Sequence, residues 1–148
     1  MVSFQKRKLG DGSLHVAIIG KIDEQFNGAT VVDEPAGVPL VMDLGGVRSI
    51  SSLGVRAFET FVAALSGRDL VLTDISPAIA AQIAMIPNLV GNARIESARL
   101  PFACPVCGAE TTHSVPYNRA APVEHAPRCS CGARMVLDGI AEQFLPGN

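Results

Sequence analysis

Two pairs of cysteines carry the plainest chemistry in this chain. Cys104-Pro-Val-Cys107-Gly and Cys129-Ser-Cys131-Gly contain all four of its cysteines. A zinc ion takes four thiolate or imidazole ligands at the corners of a tetrahedron. In Cys-x-x-Cys-Gly a tight turn aims both thiolates at one ion, and the glycine lets backbone N–H groups approach the sulfurs. The second pair, Cys-x-Cys-Gly, is one residue shorter than the usual form, which leaves room for another ligand. His125 and His113 lie within reach along the chain but read as solvated loop histidines. The expected ligands are therefore Cys104, Cys107, Cys129 and Cys131, with zinc as the cofactor. Four protein ligands close the coordination sphere and leave no position for a water nucleophile, so the expected role is structural rather than catalytic. A redox dithiol at Cys104 and Cys107 is the rival reading; it leaves the second pair unexplained. Two such knuckles carried on two hairpins make a zinc ribbon.

The second chemical feature is a serine pair in "VMDLGGVRSISSLGVRAFETF", residues 41–61. Ser51 and Ser52 sit where a helix should begin. One of them is expected to cap it, its side-chain oxygen accepting from a free N–H of the first turn. A nucleophilic serine needs a base, and neither a nearby histidine nor the Gly-x-Ser-x-Gly spacing is present. A phosphate on a serine here would meet the free N–H groups and positive end of a helix. It would also put nearly two negative charges on a surface turn, enough to abolish docking without unfolding the chain. Gly45-Gly46 lacks the further glycines of a dinucleotide-binding loop. No paired carboxylates or phosphate-cradling loop stands out either, so no enzyme is expected.

These residues have to be positioned by regular elements. "SFQKRKL" and "LHVAIIGKI" are extended, joined by an Asp11-Gly12 hairpin turn. Residues 23–38 lack a clear period and are expected to be mostly loop. "PLVMDL" is apolar on successive residues, as a strand covered on both faces would be, and Gly45-Gly46 is expected to end it. A helix follows from Ser52 to Leu65, its face marked by Val55, Phe58, Val62 and Leu65, with Gly67 stopping it. "DLVLTDI" is another buried strand. Ser76 and Pro77 open a second helix, which Pro87 ends. "ARIESARL" is the last strand. Helices alternating with short strands imply an α/β fold: a mixed sheet with helices packed on one side. After Leu100 the chain turns rich in Pro, Cys and small polar residues and cannot fold on apolar burial alone. The expected division is 1–100 and 101–148, with the last strand running directly into the cysteine module and a short C-terminal helix in "MVLDGIAEQFL".

Composition narrows the partners. With 48% apolar residues among 148, there is material for a real core. The net charge of −2 gives no reason to expect nucleic acid or an anionic membrane. In the cysteine module Arg119, Arg128 and Arg134 face Glu110, Glu124, Asp138 and Glu142, with no lysine, so phosphate-contacting charge is lacking. No apolar run approaches the roughly 18 residues of a membrane span, and the N-terminus has no apolar signal segment. The expectation is a soluble cytoplasmic protein.

At the serine turn the chain resembles a known family. "VAIIGKID", "LVMDLGGVRSISSLGVRAF" and "DLVLTDISPAIAAQI", in that order, look like a STAS domain, the fold of anti-sigma factor antagonists. The resemblance covers residues 3 to about 99. Its markers are Gly20-x-Ile22-Asp23, Asp43-Leu44 closing a strand, and the small-residue turn before the helix. The family pattern at the turn is Asp-Ser-Ser/Thr-Gly-Leu/Val, whose first serine is phosphorylated by a partner kinase that is also the anti-sigma factor. By this resemblance Ser52 holds the phosphoacceptor position, Gly54 the glycine and Val55 the apolar residue. Ser51 replaces the usual Asp, and Leu53 replaces the second hydroxyl residue. The resemblance implies a non-enzymatic regulatory module whose contact face includes Ser51, Ser52, Leu53, Gly54 and Arg56, and whose partner is an anti-sigma factor or related switch kinase. Two alternatives stand beside it: an architectural subunit or homo-oligomer, and a nucleic-acid-binding zinc-ribbon protein.

Overall fold

Alternating apolar residues in the first half of the chain build a sheet with one buried face. The computed structural model describes residues 2–28, 38–65 and 67–147. Among these residues it is a mixed α/β fold of eight strands, arranged in two sheets, and four helices. The first sheet has the order β1 (Val2–Lys8), β2 (Leu14–Ile22), β3 (Leu40–Ile50), β4 (Leu70–Thr73), β5 (Arg94–Ile95). Only β1 is antiparallel to its neighbour, and β2 through β5 are parallel. The parallel connections carry α1 (Ser52–Ala64) and α2 (Pro77–Met85), as parallel strands require a crossover. The second sheet has the order β7 (Glu110–Pro116), β6 (Ser97–Ala103), β8 (Val136–Leu137), all antiparallel. The short α3 (Ala121–Glu124) and α4 (Ala141–Phe144) complete it. Among the described residues no helix is long and apolar enough to cross a membrane.

Three expectations need correction. Strand β3 does not end at Gly45-Gly46; it continues to Ile50, pairing Ile19 with Gly46 and Gly20 with Val47 across an irregular register. The glycines serve spacing. A Cβ on Gly46 would lie 2.9 Å from Ile19 Cγ1, and one on Gly45 2.9 Å from Asp74 Oδ2. Nor is β3 covered on both faces. Leu40, Met42 and Leu44 are buried while Val41 and Asp43 are half-exposed, because helices cover one face only. And "ARIESARL" is two strands. Arg94–Ile95 closes the first sheet, and Ser97–Ala103 opens the second. Of the expected loop at 23–38, residues 29–37 lie outside the described residues.

The two sheets are joined at β4's exit. Ile75 N–H donates to the Ser97 carbonyl (3.0 Å) and Arg99 N–H to the Ile75 carbonyl (2.9 Å). Asp74, left-handed at φ 55°, donates its N–H to Ser97 Oγ (2.9 Å) and accepts from Arg99 Nε (3.2 Å) and Nη2 (3.0 Å). The expected division near residue 100 thus falls inside β6, and the buried residues of both sheets form one cluster. Phe58 and Phe61 of α1 meet Phe26, and Phe26 meets Phe4, in tilted and edge-on contacts with ring centroids 5.5 to 6.4 Å apart. Leu100, Phe102 and Leu145 extend the core into the second sheet, each fully buried.

Candidate metal centre and serine turn

The cysteines come together because two turns of like geometry face each other. In the first, Cys104 N–H donates to the Ala109 carbonyl (2.8 Å) and Gly108 N–H to the Cys104 carbonyl (3.0 Å). In the second, Cys129 N–H donates to the Ala133 carbonyl (2.8 Å) and Gly132 N–H to the Cys129 carbonyl (2.9 Å). Gly108 and Gly132 both adopt positive φ, 78° and 96°, which a side chain would strain. The missing residue therefore shortens the second loop without changing how it closes. A signal for this match was present in the sequence: both knuckles end Cys-Gly-Ala.

All four Sγ atoms lie within 4.8 Å of one another. Cys104 and Cys131 are 3.6 Å apart, and Cys107 and Cys129 3.4 Å. Sulfurs placed about 2.3 Å from a central ion at tetrahedral corners would be about 3.8 Å apart. The cluster fits a metal ion. Val106 and Cys107 aim their N–H groups at Cys104 Sγ, each at 3.4 Å, the backbone approach expected of a thiolate ligand. Among the described residues neither His113 nor His125 belongs to the cluster; the His113 ring instead meets Phe102 edge-on at 6.2 Å.

The free thiols already divide into two kinds. The N–H groups of Cys107 and Val106 lower Cys104 to about 6. Cys107 feels an N–H from Ala109, but the sulfurs of Cys129 and Cys104, with burial, outweigh it and push the thiol up to about 11. Cys129 is lowered, chiefly by the Cys131 N–H. Cys131 is raised, since the sulfurs of Cys104 and Cys129 outweigh the Ala133 N–H. Each turn thus supplies one buried, anion-favouring sulfur and one exposed, raised thiol that lies against the buried sulfur of the other turn.

At the serine turn the two hydroxyls have different surroundings. Ser51 is the cap of α1: extended at φ −82°, ψ 168°, it accepts from Gly54 N–H at 3.0 Å. Its own N–H donates to the Ile22 carbonyl (2.9 Å), so the helix start is latched to the end of β2. Ser52 is the first helical residue and exposed, and among the described residues its hydroxyl has no protein partner. Leu53 is 56% exposed, a large apolar side chain in water, and Arg56 is exposed beside it. Gly54 and Val55 are buried. The structure brings Ser52, Leu53 and Arg56 to the surface, and turns Gly54 inward against Ile22-Asp23. Ser51→Ala should therefore cost about 1 kcal/mol in urea unfolding, and Ser52→Ala less than about 0.5 kcal/mol. Equal costs would mean that the cap is shared.

Comparison with protein-family models, curated proteins and solved structures returns no match. The sequence reading missed the Asp74–Arg99 junction; its one trace is an aspartate directly after a strand, a residue type that tolerates the left-handed region.

Proposed function

We propose that this chain is a non-enzymatic regulatory interaction module of the STAS kind, carrying a structural zinc ribbon. The observation that carries the reading is the start of α1. An exposed serine with no partner among the described residues sits at the first helical position, beside an exposed leucine, on a helix latched to β2. Leu53 supplies apolar surface for a contact and Arg56 a charge beside it. The sheet order and the helices between parallel strands support the STAS reading. The four-sulfur cluster supports zinc. A set of reduced thiols suits the cytoplasm. The partner is an anti-sigma factor or a related switch kinase, docked on Ser52, Leu53 and Arg56, with Ser52 as the phosphate acceptor.

A phosphate on Ser52 would interact favourably with the helix N-terminus, so modification would block docking while leaving the fold slightly firmer. That separation of effects gives the test. Wild type and Ser52→Asp are used as baits in the host lysate, and retained proteins are read by mass spectrometry. A kinase-like or sigma-regulating protein should be held by wild type and lost with Ser52→Asp. The variant's stability should stay equal or rise by roughly 0.3–1 kcal/mol. If both baits hold the same proteins, or none, Ser52 is only a helix residue and the switch reading fails.

A further inference from the structure

A second surface lies far along the chain from the serine turn, at the edge of the second sheet. Strand β8 is an edge of its sheet. It pairs Val136 with Ala103 and Leu137 with Phe102, and Asp138 N–H donates to the Pro101 carbonyl (3.0 Å). Hydrogen-bonded pairs alternate along an antiparallel ladder. The pairs at Asp138 and Val136 therefore face β6, and Leu137 turns its N–H and C=O outward. Two residues earlier the same outward edge is already used: Met135 N–H donates to the Pro127 carbonyl (3.0 Å), and Arg128 bridges Arg134. The chain's own 127–128 segment covers the edge up to Met135 and leaves it at Leu137, whose backbone groups have no partner on that outward side among the described residues.

Beside that open position lies a groove of about 310 Å³. Pro122 and Val123 of α3, Ala126, Val136, Leu137 and Ala141 supply its apolar wall. Val123 is 74% exposed and Val136 52%, so β-branched side chains stand in water on both sides. The charged residues lining it are Arg119 and Arg134, with no carboxylate among the lining residues. Arg119 is held by Glu142 (2.9 Å). Arg134 donates from Nη2 to the Val123 carbonyl (2.9 Å), which fixes its guanidinium at the groove, and among the described residues no carboxylate pairs with it.

We infer that this groove docks an extended segment of a partner protein bearing an aliphatic or aromatic side chain next to Asp or Glu. The segment adds to the β8 edge through the Leu137 N–H and C=O, its apolar side chain enters the groove, and its carboxylate meets Arg134. Strand addition gives affinity through backbone bonds and specificity through side-chain pockets, and a guanidinium selects a carboxylate by geometry as well as charge. The inference does not depend on the serine turn or on the STAS reading.

The probe is a random heptapeptide library displayed on phage, panned against the full chain. Enriched peptides should share an apolar residue beside an acid. Arg134→Glu should weaken a synthetic copy of the best peptide by about tenfold or more in fluorescence polarisation. Changing that peptide's acid to Lys should restore binding to Arg134→Glu but not to wild type. Val136→Asp should also weaken the acidic peptide. Arg134 and Val136 are exposed, and an unchanged proteolysis pattern verifies the fold; the charge swap reads the contact even if a variant is perturbed. No enrichment overturns the inference, as do enriched peptides that bind Arg134→Glu and wild type alike. A dimer that Val136→Asp disperses, with no peptide enriched, overturns it in favour of a second copy on this face.

Discussion

Replacing Cys107 with serine should strip the metal and open the second sheet, although the substitution itself touches almost nothing. Cys107 is exposed, and serine is close to it in size. In a metal-free chain this change belongs with surface substitutions, within about 0.5 kcal/mol. In the loaded chain it removes one of four thiolates. Zinc bound by four cysteines contributes on the order of 10 kcal/mol to folding in small metal domains, and this module has little else. Its buried apolar residues are few: Ala98, Leu100, Phe102, Val115, Ala121, Met135 and Leu145, and the turns that carry the sulfurs are mostly exposed. The expected results are a metal content near zero by mass spectrometry and new protease cleavage between the two knuckles. The first sheet should persist, because β1 to β5 and α1 bury their own aromatic cluster. Stripping wild type with a chelator should reproduce the cleavage pattern, and Cys107→Ser should then add nothing to it. A Cys107→Ser chain that keeps one metal ion per molecule, with unchanged cleavage, would remove these cysteines from the metal centre. Acid should act in the same direction, since protons compete with the ion for the thiolates.

The cysteines were legible because their chemistry is local. Two tight turns, each needing a glycine at positive φ, leave a mark within five residues. The α1 and α2 caps were legible for the same reason: Ser51 and Ser76 each accept from an N–H three residues on. What the sequence hides is set by partners far along the chain. Gly45-Gly46 reads as a turn, because nothing nearby announces that Ile19 and Asp74 will press on it. The break at Glu96 is hidden likewise. Residues 93–100 read as one strand, and only the bridge from Ile75 to Ala98 decides that the chain changes sheets there. The open edge at Leu137 is a matter of register alone, and register has no signature in two residues. At the serine turn the sequence supplied a cap and left open which serine it was; the latch to Ile22 resolves it, since only Ser51 can donate to that carbonyl and accept from Gly54 at once.

Gly54→Ala should destabilise the chain by about 3 kcal/mol or more, against the usual sign for such a change. In a helix interior alanine normally gains about 0.5–1 kcal/mol over glycine. Here the added Cβ would lie 2.2 Å from the Ile22 carbonyl oxygen, 2.7 Å from its carbon and 3.0 Å from Asp23 Cα. All three are backbone atoms at the end of β2 and the residue after it, so no side chain can swing aside. The helix has to lift, and lifting it breaks the bond from Ser51 N–H to the Ile22 carbonyl (2.9 Å). It also loosens Val55 and Phe58, which α1 buries on the same side. The measurement is urea unfolding of Gly54→Ala beside Gly10→Ala, where an added Cβ meets nothing within 4 Å and the cost should stay within about 0.5 kcal/mol. Equal midpoints for the two variants would mean that α1 does not rest on β2 as described. The same displacement would carry Ser52 and Leu53 away from their places on the surface. Gly54→Ala should therefore lose the partner proposed for the serine turn even at temperatures where the chain remains folded, whereas Ser51→Ala, which removes one hydrogen bond without moving the helix, should keep it. Close packing under the turn, rather than the cap, is what fixes the positions of Ser52 and Leu53 on the surface.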